Sequence, residues 1–141
     1  MPVITAVDRN ESTERVIGEG RTLADAFGEN LHIVHVLSRS EFVELERTSV
    51  EKSGETINME RIRNHAKQVA EKAGQEGDTC VGLVGDAAEE LVQYADEHGG
   101  SYLVLGGRQR SPVGKALFGS VTQKVLLNAS VPVVTVLDEG A

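Results

Sequence analysis

A chain of 141 residues fits one domain with a core of its own, and 40% hydrophobic against 26% charged residues excludes wholesale disorder. Apolar runs such as Tyr102 to Leu105 and Val131 to Leu137 fall far short of the roughly 20 residues that a membrane-spanning helix needs. A net charge of -8, with 4% aromatics and no Trp, argues against a nucleic-acid partner.

The N-terminus, Met1-Pro2-Val3-Ile4, reaches Asp8 and Arg9 without the basic region and long apolar stretch of a secretory leader, so the expectation is a cytoplasmic protein with no membrane partner. Val3 to Val7 is the first predicted strand. Val16, Gly20, Leu23, Ala24 and Phe27 then recur at helical spacing up to Gly28. Leu31 to Leu37 is the second strand. Ser38 to Gly54 is polar, with Glu41, Glu44, Glu46 and Glu51, and reads as a long exposed connection, either mobile or a lid. Met59, Ile62, Ala66, Val69 and Ala73 mark the second helix, ended by Gly74. Thr79 to Val84 is the third strand, and it carries the single cysteine, Cys80, which reads as a buried and inert thiol.

Asp86 with Glu89 resembles a capping box for a third helix through Leu91, Val92 and Ala95 to Gly99-Gly100. Tyr102 to Leu105 is the fourth strand, a fourth helix opens at Ser120 and ends near Asn128, and Pro132 to Leu137 is the fifth strand. Strand and helix alternate throughout, and nearly continuous apolar strands imply that both sheet faces are covered. The fold class is therefore α/β: a single doubly wound five-stranded parallel sheet with four helices, in one domain over residues 1–141.

In such a sheet ligands bind beyond the carboxyl ends of the strands, where connections switch faces. Asp8 ends the first strand, Val36 lies near the end of the second, and the fourth runs into a glycine-bearing loop from Gly106 to Ser120. From His98 through Leu137 there is no Asp or Glu, while Arg108, Arg110, Lys115 and Lys124 give +4 and leave the other 101 residues at -12. A small anionic ligand docking near this segment fits that asymmetry. Ser120-Val121-Thr122-Gln123 has the pattern of a capping box, and amides of Gly119, Ser120 and Val121 at a helix start suit a phosphate. The same residues also fit a tight turn and an ordinary helix cap. Walker A spacing fails, because Ala116 follows Gly114-Lys115, and no Gly-x-Gly-x-x-Gly follows the first strand.

Gly106, then Gly119-Ser120 thirteen residues on, resemble the Gly-x2-Gly-x9-Gly-[Ser/Thr] motif of the universal stress proteins. Val3-Ile4-Thr5-Ala6-Val7-Asp8, Leu31 to Val36, Gly85-Asp86-Ala87-Ala88-Glu89 and the stretch from Phe118 to Val136 resemble the same family's strands and turns, so the likeness spans nearly the whole chain. It implies a sheet of order 3-2-1-4-5, a homodimer formed through the last strand, and an adenine nucleotide, ATP or AMP with Mg²⁺, in the ATP-binding members. The site it implies comprises Val7, Asp8, Val36, Leu105, Gly106, Arg108, Gln109, Gly119, Ser120 and Val121. Asp8 and Val36 would lie against adenine and ribose, Gly106 and Arg108 would flank the phosphates, and Gly119, Ser120 and Val121 would bind them. Gln109 departs from the pattern, standing where the motif has its second glycine; Gly107 and the nearby cations offer compensation.

His32 and His35 lie three apart on a strand and face opposite sides, and His65 and His98 sit on separate helices, which speaks against a metal site. No nucleophile elbow or committed catalytic base is visible. Asp8 fits either ligand contact or a cap on the turn into the first helix, with Ser12 or Thr13. The fifth strand is apolar, and as a sheet edge it needs a partner. The resemblance, taken with these residues, implies a nucleotide-dependent stress-response regulator or adaptor with an unknown client. The alternatives are a nucleotide-independent dimer acting by protein interaction and, more weakly, a slow ATPase.

Overall fold

Five runs rich in Val, Ile and Leu form strands in the computed structural model, which describes residues 1–8, 13–53, 58–107 and 119–137. They are β1 (Val3–Ala6), β2 (Leu31–Leu37), β3 (Thr79–Val84), β4 (Tyr102–Gly107) and β5 (Val133–Leu137). All neighbours pair in parallel, in the order β3-β2-β1-β4-β5. The helices are α1 (Thr13–Phe27), α2 (Arg39–Ser53), α3 (Met59–Ala73), α4 (Ala87–Glu97) and α5 (Ser120–Asn128).

The described residues thus hold five helices where the sequence suggests four, because residues 39–53 of the expected Ser38 to Gly54 connection form α2. Its start is fixed locally: the Ser38 hydroxyl accepts from the Glu41 amide at 3.3 Å, and the Phe42 amide donates to the Ser38 carbonyl at 2.9 Å. Phe42 and Leu45, one helical turn apart, then pack against Leu37, Ile62 and Ala66. Two anchors suffice to seat a helix whose other residues are mostly polar.

Strand alternation feeds two cores, one on each sheet face. Val3, Val7, Ile33 and Val104 face α1 and α3, packing with Val16, Ile17, Ala24 and Ala70. Ile4, Val34, Leu103 and Leu105 face α4 and α5, packing with Leu91, Ala95 and Val125. Close approach on the first face depends on small residues. Gly82 in β3 lies under the backbone of α3 at Arg63, Ala66 and Lys67. On the same side Arg21 of α1 grips Asp78 with two hydrogen bonds, Nη1 to Oδ1 at 3.1 Å and Nη2 to Oδ2 at 2.9 Å, and the Gln75 amide adds a third at 2.7 Å.

Boundaries follow local chemistry. Asn58 caps α3 by accepting from the Arg61 amide at 2.9 Å, and Asp86 caps α4 by accepting from the Glu89 amide at 3.1 Å. Gly28, at φ 65°, turns the chain out of α1, a conformation that glycine adopts without strain. Cys80 is half-buried rather than buried, and burial pushes its thiol pKa up, so it is less of a nucleophile than a free thiol.

Candidate functional site

The connections leaving β1 and β4 run to opposite faces of the sheet, β1 into α1 and β4 towards α5. The topological switch point, where such sheets bind their ligands, therefore lies between the carboxyl ends of these two adjacent strands. Pairing of β1 with β4 stops at Thr5 and Val104, whereas β4 continues beside β5 to Gly107 and Leu137. The ends of β1 and β4 separate at the point where the ligand-binding residues are expected.

Val7 and Leu105 are both buried, in opposite cores, so what they offer a ligand is backbone. Val36 is half-buried on the face of α4 and α5. Asp8 stands exposed at the crest, and the Thr13 hydroxyl donates to its carbonyl at 2.9 Å and to its Oδ1 at 3.2 Å. This contact ties Asp8 to the first turn of α1 through the Thr13 side chain. Arg108 and Gln109, with Arg110 and Lys115, lie outside the described residues. The fourth cation, Lys124, faces Asp86 at 3.7 Å, a surface pair of little energetic weight.

The start of α5 corrects one expectation. The cap position is Gly119, with no side-chain cap hydrogen bond, and Ser120 is the first helical residue, so the capping box predicted at Ser120 does not form. The Gln123 amide donates to the Gly119 carbonyl at 3.0 Å. The amides of Ser120, Val121 and Thr122, one turn earlier, have no acceptor within the helix, and a glycine cap supplies no side-chain oxygen to take one. Ser120 and Val121 are exposed. Gly119 places no side-chain oxygen at this positive helix end, a feature that suits an anion.

Four residues bearing on the crest escape a reading by motif. Thr13 holds Asp8, as described. Arg15 of α1 donates from Nη1 to the Leu137 carbonyl at 2.9 Å, tying the first turn of α1 to the end of β5. His35, 5% exposed, donates from Nδ1 to the Val7 carbonyl at 2.8 Å, and its Nε2 has no partner among the described residues. Thr122, 4% exposed, donates to the Gly106 carbonyl at 2.7 Å. A strand-end His and a Thr just after the Gly-Ser pair are the only sequence signals for the last two.

A second polar cluster sits at the opposite end of the sheet. His32 Nδ1 lies 2.8 Å from the Tyr94 hydroxyl, the Tyr94 and His98 rings stack at 3.8 Å, and His98 donates from Nδ1 to the Tyr94 carbonyl at 2.9 Å. Burial and then the neighbouring His98 hold the His32 pKa below its ordinary value. His32 and His98, assigned by the sequence to unrelated elements, thus share one neighbourhood. Among the described residues no group of three or more His, Cys, Asp or Glu is placed to hold a metal ion, and no helix is long and apolar enough to cross a membrane.

The fold defines a doubly wound α/β protein with its topological switch point between β1 and β4. More particularly, the chain belongs to the universal stress protein family, whose model matches residues 1–136. It is 47% identical over 55 residues to a universal stress protein of Mycolicibacterium smegmatis, a match covering 39% of this chain and 42% of that relative. The chain thus spans less than half of that relative's length, and it matches 46% of the stress response protein NhaX of Bacillus subtilis at 29% identity over 77 residues. Among solved structures it is similar to a universal stress protein from Archaeoglobus fulgidus, with TM-score 0.65, 30% identity, and 96% of this chain and 97% of that one covered. It is also similar to the Archaeoglobus fulgidus universal stress protein in complex with dAMP, with TM-score 0.59, 26% identity, and 96% of each chain covered. A universal stress protein in complex with cAMP shows 25% identity and TM-score 0.62, again with 96% of each chain covered.

Proposed function

We propose that this chain is a single domain over residues 1–141 that binds an adenine nucleotide, ATP or AMP with Mg²⁺, at the switch point between β1 and β4. In this reading it is a cytoplasmic regulator or adaptor in a stress response. The observation that carries the proposal is the uncapped start of α5 at Gly119, held beside the end of β4 at Gly106. Asp8 and Val36 line the adenine and ribose side, with backbone from Val7 and Leu105, and the amides of Ser120 and Val121 receive phosphate. The relatives solved with dAMP and cAMP support the ligand class. Arg108 supplies charge, and Gln109, at the motif's second glycine position, limits how closely the chain approaches the phosphates.

Calorimetric titration with ATP and Mg²⁺, beside AMP and at two salt concentrations, tests the proposal. Micromolar, saturable binding that weakens with salt is expected, and tighter binding is expected for Gln109→Gly. No heat from either the native chain or Gln109→Gly would overturn the nucleotide reading. Gln109 itself favours a second reading, a nucleotide-independent dimer acting through protein contacts; heat from Gln109→Gly alone would select it. Phosphate release lost on Gly119 or Ser120 substitution would mark the weaker alternative, a slow ATPase.

The edge position of β5, with an apolar and half-buried Val133–Leu137 run, supports a homodimer formed through that strand. The expected sedimentation mass is twice that of the 15.1 kDa chain, falling to one chain when Thr135, whose amide points to the open edge in the β4–β5 register, is replaced by proline. A native mass of one chain would rule the dimer out.

A further inference from the structure

Thr122 is a β-branched polar residue in the first turn of a helix, and it is almost wholly buried. Its hydroxyl serves no local partner; it reaches sixteen residues back to the carbonyl of Gly106 at 2.7 Å. That hydrogen bond joins the end of β4 to the first turn of α5, and so closes the base of the glycine-bearing loop whose ends are Gly107 and Gly119. Its methyl group lies on the same buried side, one turn before Val125, which is fully buried among Leu91, Ala95 and Leu103.

The bond has two physical effects at the switch point. It fixes the distance and angle between the strand end and the helix start, which is what a cradle of backbone amides needs if it is to meet an anion without rearranging. It also engages the Gly106 carbonyl oxygen, an acceptor at the mouth of the site whose dipole is unfavourable to a phosphate. With that oxygen occupied, the groups presented there that have no acceptor within the helix are the donors of Ser120 and Val121.

We propose that Thr122 is a positioning residue for the phosphates of the bound nucleotide, acting through the Gly106 carbonyl without touching the ligand itself. This rests on the nucleotide reading above. The hydroxyl separates cleanly from the methyl. Thr122→Val keeps the shape and removes the donor, and Thr122→Ser keeps the donor and removes the methyl.

The experiment is titration of wild type, Thr122→Val and Thr122→Ser with ATP and, separately, with adenosine, which lacks phosphates. Loss of one neutral hydrogen bond and its geometry sets the scale of the effect. Thr122→Val is expected to bind ATP about tenfold more weakly, with adenosine affinity within about twofold of wild type, and Thr122→Ser is expected to restore ATP affinity to within about threefold. A purely structural role would lower ATP and adenosine binding together, and that outcome overturns the assignment. So does a Thr122→Val variant that binds ATP as wild type does. If wild type and Gln109→Gly bind neither ligand, the nucleotide reading itself fails and this assignment falls with it. Should Thr122→Val not fold, Thr122→Ala against Thr122→Ser isolates the same hydroxyl, with the same expected split between ATP and adenosine.

Discussion

Replacing Gly82 with alanine is expected to destabilise the protein by about 3 kcal/mol, the upper part of the usual range for overpacking. The reason is the neighbour, not the residue. A Cβ on Gly82 would fall far inside contact distance of the Arg63 carbonyl oxygen and the Lys67 amide nitrogen, and close to the Ala66 carbonyl carbon. All three are backbone atoms of a helix, so no side-chain rotation relieves the overlap and α3 must lift away from β3. That movement opens the contacts of Ile62, Ala66 and Ala70, all fully buried. Alanine is otherwise an acceptable strand residue, so the effect reads the helix-to-sheet distance directly. Gly18 is the control. It lies in α1 with open space around it, and Gly18→Ala is expected to gain up to about 1 kcal/mol from helix propensity alone. Urea unfolding of the two variants beside wild type checks both signs, and equal midpoints would show that α3 does not sit against Gly82.

Removing Arg21 is expected to cost about as much. Its partner Asp78 has a side chain only 6% exposed, against 27% for Arg21, so the carboxylate is the group that depends on the pair. Arg21→Met preserves much of the side-chain length and leaves Asp78 with the Gln75 amide alone, and breaking such a largely buried pair costs about 3 kcal/mol. The pH dependence carries a further signature. The Arg21 hydrogen bonds hold the Asp78 pKa below its ordinary 3.8, against burial, which acts to raise it. A carboxyl depressed in the folded state contributes stability in full above its unfolded pKa, and loses it as pH falls through the folded value. Wild type should therefore keep this contribution down to about pH 4, and lose it only in stronger acid. In Arg21→Met burial is opposed only by the Gln75 amide, so the depression of Asp78 shrinks or reverses, its acid-side loss of stability shrinks or reverses with it, and the gap between the two proteins should narrow as pH falls below about 4. Denaturation midpoints measured from neutral pH into acid distinguish the two curves, and parallel curves would contradict the pair's role.

The strands were legible because each is the nearly continuous apolar run that a two-sided sheet requires, and β2 and β3 begin and end where the sequence places them. The helix α2 was not, because its apolar content is concentrated in Phe42, Val43 and Leu45, and Val43 is exposed. Only the docking of Phe42 and Leu45 on Leu37 and Ile62 reveals it, and that is a tertiary fact. The site divides along the same line. Asp8, Val36 and Gly106 follow from strand ends, and the helix start follows from the Gly-Ser pair, although the cap falls on Gly119, one residue earlier than the capping-box pattern suggests. Thr13, Arg15, His35 and Thr122 act through hydrogen bonds to carbonyls at positions that no local spacing specifies. The meeting of His32 with His98 likewise depends on how α4 crosses the sheet.

The central position of β1 bears on how the chain reaches its fold. Of the five strands of this sheet, the one synthesised first lies in the middle, and one of its two neighbours is β4, which does not begin until Tyr102. Until that segment has left the ribosome, β1 has one open hydrogen-bonding side and Val3 and Ile4 lack half of their eventual cover. The native register from Val3 with Tyr102 to Thr5 with Val104 closes a loop of about a hundred residues, which places its formation late and ties the folding rate to chain topology more than to local propensity. The segment from β1 to β3, helices and all, is thus an unfinished sheet that waits for its centre to be completed from the other side.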